Sequence, residues 1–238
     1  MLVDGTIRRR AGAWTPAVHE LLNHLHGRGF TRAPRPLGYD EHGREMLTYL
    51  PGTTVGDRKP WPAWVHAADT LLHVATWLRD YHAAVADFVP SPDAVWRMGE
   101  QWSAGQLVCH NDAAPYNPAW NNGQLTGFFD WDFAGPGTAE WDLAFTAFAW
   151  VPLHARRVVS AEGFIDFGDR RRRLELFLGT YGWQGEVSDL LVVLDRRLQA
   201  HCDGIRELAA NGDELFQRLV DAGAVEDLMK ARDELDGL

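Results

Sequence analysis

The chain has 238 residues, 33 of them acidic and 23 Lys or Arg, a formal net charge of −10, and 46% are hydrophobic, eleven Trp among them. A chain of this length can bury a substantial core in one large domain or two small ones. Its acidic balance argues against nucleic acid as a main partner, because phosphate binding draws on clustered Lys and Arg. The balance would suit a cationic substrate, although acidic surfaces also simply keep proteins soluble. With no run of eighteen apolar residues and no signal peptide at Met1-Leu2-Val3-Asp4, the expectation is a cytoplasmic protein with no membrane partner.

In chain order, residues 5–10 form a short strand, followed by an irregular link through Ala11-Gly12. Thr15-Pro16 predicts a helix start, with Thr as N-cap and Pro at the first helical position. Val18, Leu21, Leu22 and Leu25 then make one apolar stripe that runs to Gly27. Residues 36–40 and 44–50 are strand-like and joined by Glu41-His42-Gly43, a hairpin pattern. From Pro62 onward Val65, Ala68, Leu71, Leu72, Ala75, Leu78, His82 and Val85 recur at helical intervals until Pro90. His82 lies on that apolar face and is expected to be a satisfied core histidine.

The densest chemistry lies in residues 107–131, LVCHNDAAPYNPAWNNGQLTGFFDW. Two apolar strands are predicted, at 106–109 and 125–131, with Asn121-Asn122-Gly123 as turn signal between them. The first leads into His110, Asp112 and Asn117, which fit H-x-D-x-x-x-x-N, the spacing of a kinase catalytic loop. The second ends in Asp130-Trp131-Asp132, and strand alternation predicts Phe128, Asp130 and Asp132 on one face. Phosphoryl transfer needs these residue types: a carboxylate to orient the acceptor hydroxyl, and oxygen ligands for Mg²⁺ bridging the nucleotide phosphates.

Beyond this stretch Gly135-Pro136-Gly137 makes a loop and Trp141-Asp142-Leu143-Ala144 opens a helix. A further helix carries Leu174, Phe177, Leu178 and Tyr181; the basic run Arg170, Arg171, Arg172, Arg173 that opens it is expected to be a solvated helix start or a salt-bridge cluster. Ser188 is predicted to cap a longer helix with Leu191, Leu194, Leu198, His201, Ile205 and Leu208 inward, and Val225, Leu228, Met229 and Leu235 mark a last one. Acidic residues on these helices, including Asp195, Asp203, Glu207 and Glu214, could meet an amine-bearing acceptor, but as a solvated face they need no function. Cys109 and Cys202 show no metal spacing and are expected to be buried thiols.

His110 to Asn117, then Gly127-Phe128-Phe129-Asp130-Trp131-Asp132-Phe133-Ala134-Gly135, then Trp141-Asp142-Leu143-Ala144 together resemble the aminoglycoside phosphotransferase and choline kinase-like family. The resemblance covers roughly residues 106–150; Asn111 stands where the family loop usually has Gly, and Ala113-Ala114 with Pro115 are also atypical. It implies an α+β, protein-kinase-like fold. A small β-rich N-terminal lobe with hinge would span residues 1–51, and a larger, mainly helical C-terminal lobe residues 52–238. It implies Mg²⁺ and a nucleoside triphosphate, ATP or GTP, as phosphate donor to a hydroxyl of a small molecule such as an aminoglycoside-like or amino-alcohol acceptor. Asp112 would be the catalytic base, Asn117 and Asp130 the metal ligands with Asp132 a secondary candidate, and His110 and Asp142 supports for the loop. Arg8, with Arg9 as neighbour, stands where the family carries its phosphate-pairing Lys. Glu20 points away from the stripe of its helix, so His19 could take the place of the Glu that usually pairs with that cation. Tyr49 and Leu50 fall at the connector whose backbone meets the nucleobase.

In this fold a glycine-rich hairpin lies over the phosphates ahead of the cation-bearing strand, and only four residues precede Gly5. The expectation is therefore an upper lobe lacking that hairpin, a natural start further upstream, or a protein that no longer transfers phosphate. The rival reading is a non-catalytic kinase-like domain that binds a nucleotide or a partner, and a third is a hydrolase with Asp112 and Asp130 as its carboxylate pair.

Overall fold

A computed structural model describes residues 1–56, 59–235 and 238. Its N-terminal part is a four-stranded antiparallel sheet in the order β1-β2-β4-β3, from β1 (Leu2–Val3), β2 (Thr6–Arg10), β3 (Pro36–Tyr39) and β4 (Arg44–Thr48). Asp4 and Gly5, both at positive φ, turn β1 into β2, a conformation that Asp and Gly tolerate. Between β3 and β4 the Asp40 carboxylate accepts from the His42 and Arg44 amides, which closes the expected hairpin.

Helix α1 (Thr15–Gly27) buries Val18, Leu21, Leu22 and Leu25 as the apolar stripe predicts. Its N-cap, however, is Trp14 rather than Thr15. The Thr15 hydroxyl accepts from the Gly12 amide, 2.9 Å, so it closes the preceding turn instead of capping the helix.

The remainder is mainly helical around α2 (Ala68–Val85), whose Trp77, Leu78 and Tyr81 are fully buried. Helix α5 (Arg170–Tyr181) packs on α2, and α3 (Ala139–Trp150) packs on the long α6 (Val187–Ala210); the short α4 (Arg156–Ala161) links α3 to α5. Helices α7 (Glu214–Asp221) and α8 (Ala224–Leu235) also pack on α6. The cap of α6 is Glu186, which forms a reciprocal box with Asp189, rather than Ser188. The basic run divides by helical phase: Arg171 and Arg172 are exposed and pair with Glu175 and Asp169. Arg170 and Arg173 are buried and donate to the His154, His66 and Trp150 carbonyls. Cys109 and Cys202 are buried free thiols, as expected.

Four short strands sit between α2 and α3. Strand β5 (Leu107–Cys109) pairs with β8 (Gly135–Gly137), while β6 (Pro118–Asn121) and β7 (Gln124–Phe128) form a hairpin through Asn122 and Gly123, φ 51° and 75°. The Asn-Gly turn signal is thus real, but its partner strand is β6, which a Pro and a length of four residues conceal from pattern reading. The predicted strand at 125–131 stops at Phe128, and Asp130 has φ 59°. That left-handed residue breaks the alternation expected to run through Asp132.

Candidate active site

The β6–β7 register brings the two polar tips together. Pro118 lies opposite Phe128, and the Phe129 amide donates to the Asn117 carbonyl at 2.9 Å, so the end of one loop is hydrogen-bonded beside the start of the other. Asn117 Nδ2 donates to the Asp112 carbonyl at 2.9 Å and to Asp112 Oδ2 at 2.7 Å, and Tyr116 donates its hydroxyl to Asp112 Oδ1 at 3.0 Å. Burial pushes the Asp112 carboxyl up to about 7, with the Asp130 charge adding to the rise and the Tyr116 and Asn117 bonds opposing it. Asp112 is therefore poised to exchange a proton near neutrality.

The loop that carries Asp112 is fixed from beneath. Asp142, fully buried, accepts from the His110 and Asn111 amides at 2.9 Å each, and faces His82 Nε2 at 3.2 Å. Burial alone would raise the Asp142 carboxyl, yet the His82 bond and the His110 amide hold it below the usual range. His82 closes the chain of bonds through the Tyr181 hydroxyl at 2.8 Å. His110 is enclosed by Trp77, Phe128 and Trp131, and burial lowers it to about 4. It is neutral, and its Nδ1 accepts the Asp112 amide at 3.2 Å. Arg197 donates to the Asn111 carbonyl at 2.9 Å and Trp150 Nε1 to that of Ala113 at 2.8 Å. Asn111, in the position usually Gly, adopts φ 64°, which Asn tolerates better than most side chains.

The second tip meets the N-terminal sheet, and here Arg8 is replaced by its neighbour. Successive side chains of β2 point to opposite faces. Arg8 therefore faces away, 3.8 Å from Asp40. Arg9 faces the tip, with Nη1 2.9 Å from Asp130 Oδ1, Nη2 2.5 Å from Asp132 Oδ1 and Nε on Glu45. Burial works against the Arg9 charge, but the three carboxylates outweigh it and hold the guanidinium firmly protonated. Glu45 on β4, 1% exposed, also meets His19 Nε2 at 3.0 Å. Glu20 instead bonds Ser91. Helix α1 thus supplies His19 through an acid from the sheet. Arg97, sandwiched by Trp14 and Phe133, reaches Asp132 at 3.4 Å and Asp213 at 3.3 Å.

A cleft of about 310 Å³ opens beside this cluster, lined by Ile7, Arg9, Leu47, Tyr49, Leu50 and Asp130 among others. Tyr49 and Leu50 are thus in its wall. Asp195 and Asp203 take no part: both are exposed and pair with Arg232 and Arg206, and Glu207 and Glu214 are likewise at the surface.

The donor set suits a hard divalent cation held jointly with a ligand. Asn117 spends its amide nitrogen on Asp112, and Asp130 gives Oδ1 to Arg9 while its side chain stays 44% exposed. One amide oxygen and one carboxylate oxygen remain for a metal, which is how Mg²⁺ is commonly held when phosphates complete its shell. Among the described residues no group of three His, Cys, Asp or Glu side chains forms a self-sufficient metal cage. Sequence reasoning did not anticipate Tyr116, Glu45 or Arg97 here; strand parity with Asp40 and Glu45 would have been the one signal favouring Arg9 over Arg8.

Comparison with known proteins bears on the family and the fold. Residues 60–177 match the model of the phosphotransferase enzyme family. The trifolitoxin immunity protein of Rhizobium leguminosarum bv. trifolii is 31% identical over 183 residues, 75% of this chain and 68% of that one. Among solved structures, a macrolide 2′-phosphotransferase from Brachybacterium faecium superposes with TM-score 0.56 at 15% identity, covering 89% of this chain and 79% of that one. An ethanolamine kinase from Plasmodium vivax gives TM-score 0.56 at 8% identity, with 96% and 80% covered. A choline kinase from Cryptosporidium parvum gives 0.56 at 11%, with 92% and 78% covered. At such identities these structures speak for the fold alone. With its sheet-and-helix architecture, its family match and its curated relative taken together, the chain belongs to the phosphotransferase enzyme family and has the protein-kinase-like fold.

Proposed function

We propose that this protein moves the γ-phosphoryl group of a nucleoside triphosphate, ATP or GTP, to a hydroxyl of a small molecule. The observation that carries the reading is the junction of the two tips. Asn117 and Phe129 share a backbone hydrogen bond, which sets Asp112 and Asp130 on adjoining tips near enough for the Asp130 charge to act on Asp112, and Asp130 lines the cleft with Arg9. In this reading Asp112 orients the acceptor hydroxyl and takes its proton, and its raised carboxyl keeps that exchange possible near pH 7. Arg9 would pair with phosphate oxygens, giving up one of its carboxylates to do so. The cleft wall of Ile7, Leu47, Tyr49 and Leu50 would receive the nucleobase. Asn117 and Asp130 would hold Mg²⁺, which supplies charge neutralisation at the transferring phosphoryl group. His110 and Asp142 would act only through the loop they brace. In this reading residues 1–51 would form the nucleotide-binding lobe with its hinge and residues 52–238 the lobe that carries the chemistry. The solved neighbours are by their names a macrolide 2′-phosphotransferase, an ethanolamine kinase and a choline kinase, and small-molecule acceptors of those kinds are the first to try here.

A second reading is binding without turnover. It is favoured by Arg9, whose guanidinium already bridges Asp130 and Asp132, and by a relative named for toxin immunity. Mg²⁺-dependent binding of ATP and GTP, followed by turnover against aminoglycosides, macrolides, choline-like alcohols, amino-alcohols and sugars, separates the two. Transfer lost in Asp112→Ala with the fold retained, and Mg²⁺-dependent nucleotide binding lost in Asp130→Ala, are the expected results. Undiminished turnover in either variant would remove that residue from the mechanism.

A further inference from the structure

Tyr116 is the one residue of the 110–117 loop that is exposed, 45% of its surface, while Asn111 and Asp112 are partly covered and the other five are buried. Its hydroxyl nevertheless reaches inward, to Asp112 Oδ1 at 3.0 Å. The other carboxylate oxygen accepts from Asn117, a buried side chain that also bonds the Asp112 carbonyl and so closes the loop on itself. Of the two groups on the carboxylate, the Asn117 amide is built into the loop, and the phenol is a side chain with one described hydrogen bond and an open flank. Tyr116 is thus the one exposed residue of the loop, and its side chain is bonded to the Asp112 carboxylate. Chemically it is itself a hydroxyl donating to the carboxylate, the same contact an acceptor alcohol would make.

From this arrangement we infer that Tyr116 is a placeholder: its phenol occupies the acceptor-hydroxyl position on Asp112, keeps water off that carboxylate while nucleotide is bound, and is displaced by a fitting acceptor. The inference rests on the phosphotransferase reading and names a positioning residue that this reading does not require. It has a physical consequence that a structural role lacks. With the phenol on Asp112, water is a poor competitor for the acceptor position; with the phenol gone, water can take it and the nucleotide is hydrolysed.

The test needs no knowledge of the natural acceptor. Phosphate release from MgATP and MgGTP is measured for the full chain and for Tyr116→Phe and Tyr116→Ala, with nucleotide affinity measured by calorimetry on the same samples. Expected is a rise in maximal hydrolysis of about threefold to tenfold in Tyr116→Phe, the factor one ordinary hydrogen bond is worth. A larger rise is expected in Tyr116→Ala, where the ring is removed too, with the nucleotide KM and Kd unchanged in both. Hydrolysis equal to or below that of the unaltered protein, with nucleotide affinity intact, overturns the placeholder and leaves the phosphotransferase reading standing. A failure of the unaltered protein to bind Mg-nucleotide overturns both.

Discussion

The two tips joined by the Asn117–Phe129 hydrogen bond are held in opposite ways. The 110–117 tip is held from below by buried groups that bond its backbone: Asp142 on two amides, Arg197 and Trp150 on two carbonyls. The tip that follows β7 is held from the side, by Arg9 and Arg97 on the carboxylates of Asp130 and Asp132. Bonds to backbone fix a path whatever the side chains of the loop do, and their burial makes them costly to break. Partly exposed ion pairs are individually weak and can exchange partners. The difference places rigidity under the proton acceptor and exchangeable charge beside the cleft, where a phosphate or a metal would have to compete with a guanidinium.

The comparison breaks most visibly at Asp142. Asp142→Ala would leave two loop amides and His82 without their buried acceptor, a cost of about 3–5 kcal/mol. Urea unfolding measures it, and a cost under about 1 kcal/mol would show that the loop is held by something else.

Asp112 sharpens the contrast, because its loop is rigid at the expense of its own carboxylate. Its folded value of about 7 lies above the ordinary 3.8, so between those values the folded state binds more protons than the unfolded one. Stability must then fall as pH rises through that window, with the full cost present above about 7. Asp112→Asn removes the charge and should therefore be more stable than the unaltered protein at pH 8, by up to about 4 kcal/mol for the full interval. The gap should close toward pH 4. Thermal melts at both pH values check this, and an Asn variant that is less stable at pH 8 would contradict the assigned burial.

The smallest effect distinguishes the two arginines of β2. Arg9→Met strands the buried Glu45 and loosens the second tip, at about 1–2 kcal/mol. Arg8→Met breaks one long pair with Asp40 and should stay within about 0.5 kcal/mol. Equal costs would mean that the charge cluster under the sheet is no different from a surface pair.

The legible parts of this site were those whose geometry is local. His110, Asp112 and Asn117 fall within eight residues, and Asp130 follows an Asn-Gly hairpin only a few residues long, so spacing alone places them near one another. The stripe Val18, Leu21, Leu22, Leu25 was legible for the same reason. Arg8 was the expectation because two adjacent arginines look alike in sequence; which one turns inward depends on the pairing Arg8↔Met46 and Arg9↔Glu45, and so on a partner strand 36 residues away. Glu45 was invisible as an ion-pair partner because an acidic residue in a predicted hairpin is ordinarily solvent-facing. The strand expected through Trp131 ended early because Asp130 adopts a left-handed backbone that no periodicity announces.

By itself the sequence determined the chemistry on offer: a carboxylate, an amide and a second carboxylate at intervals set by one loop and one hairpin, with an apolar run ahead of each. Only the tertiary structure decided which cation faces them, that Glu45 anchors it, and that Tyr116 lies across Asp112. Short-range geometry follows from bond lengths and backbone dihedrals along a few residues, whereas charge pairing between a sheet and a distant loop is set by how the two surfaces pack, which no local pattern encodes.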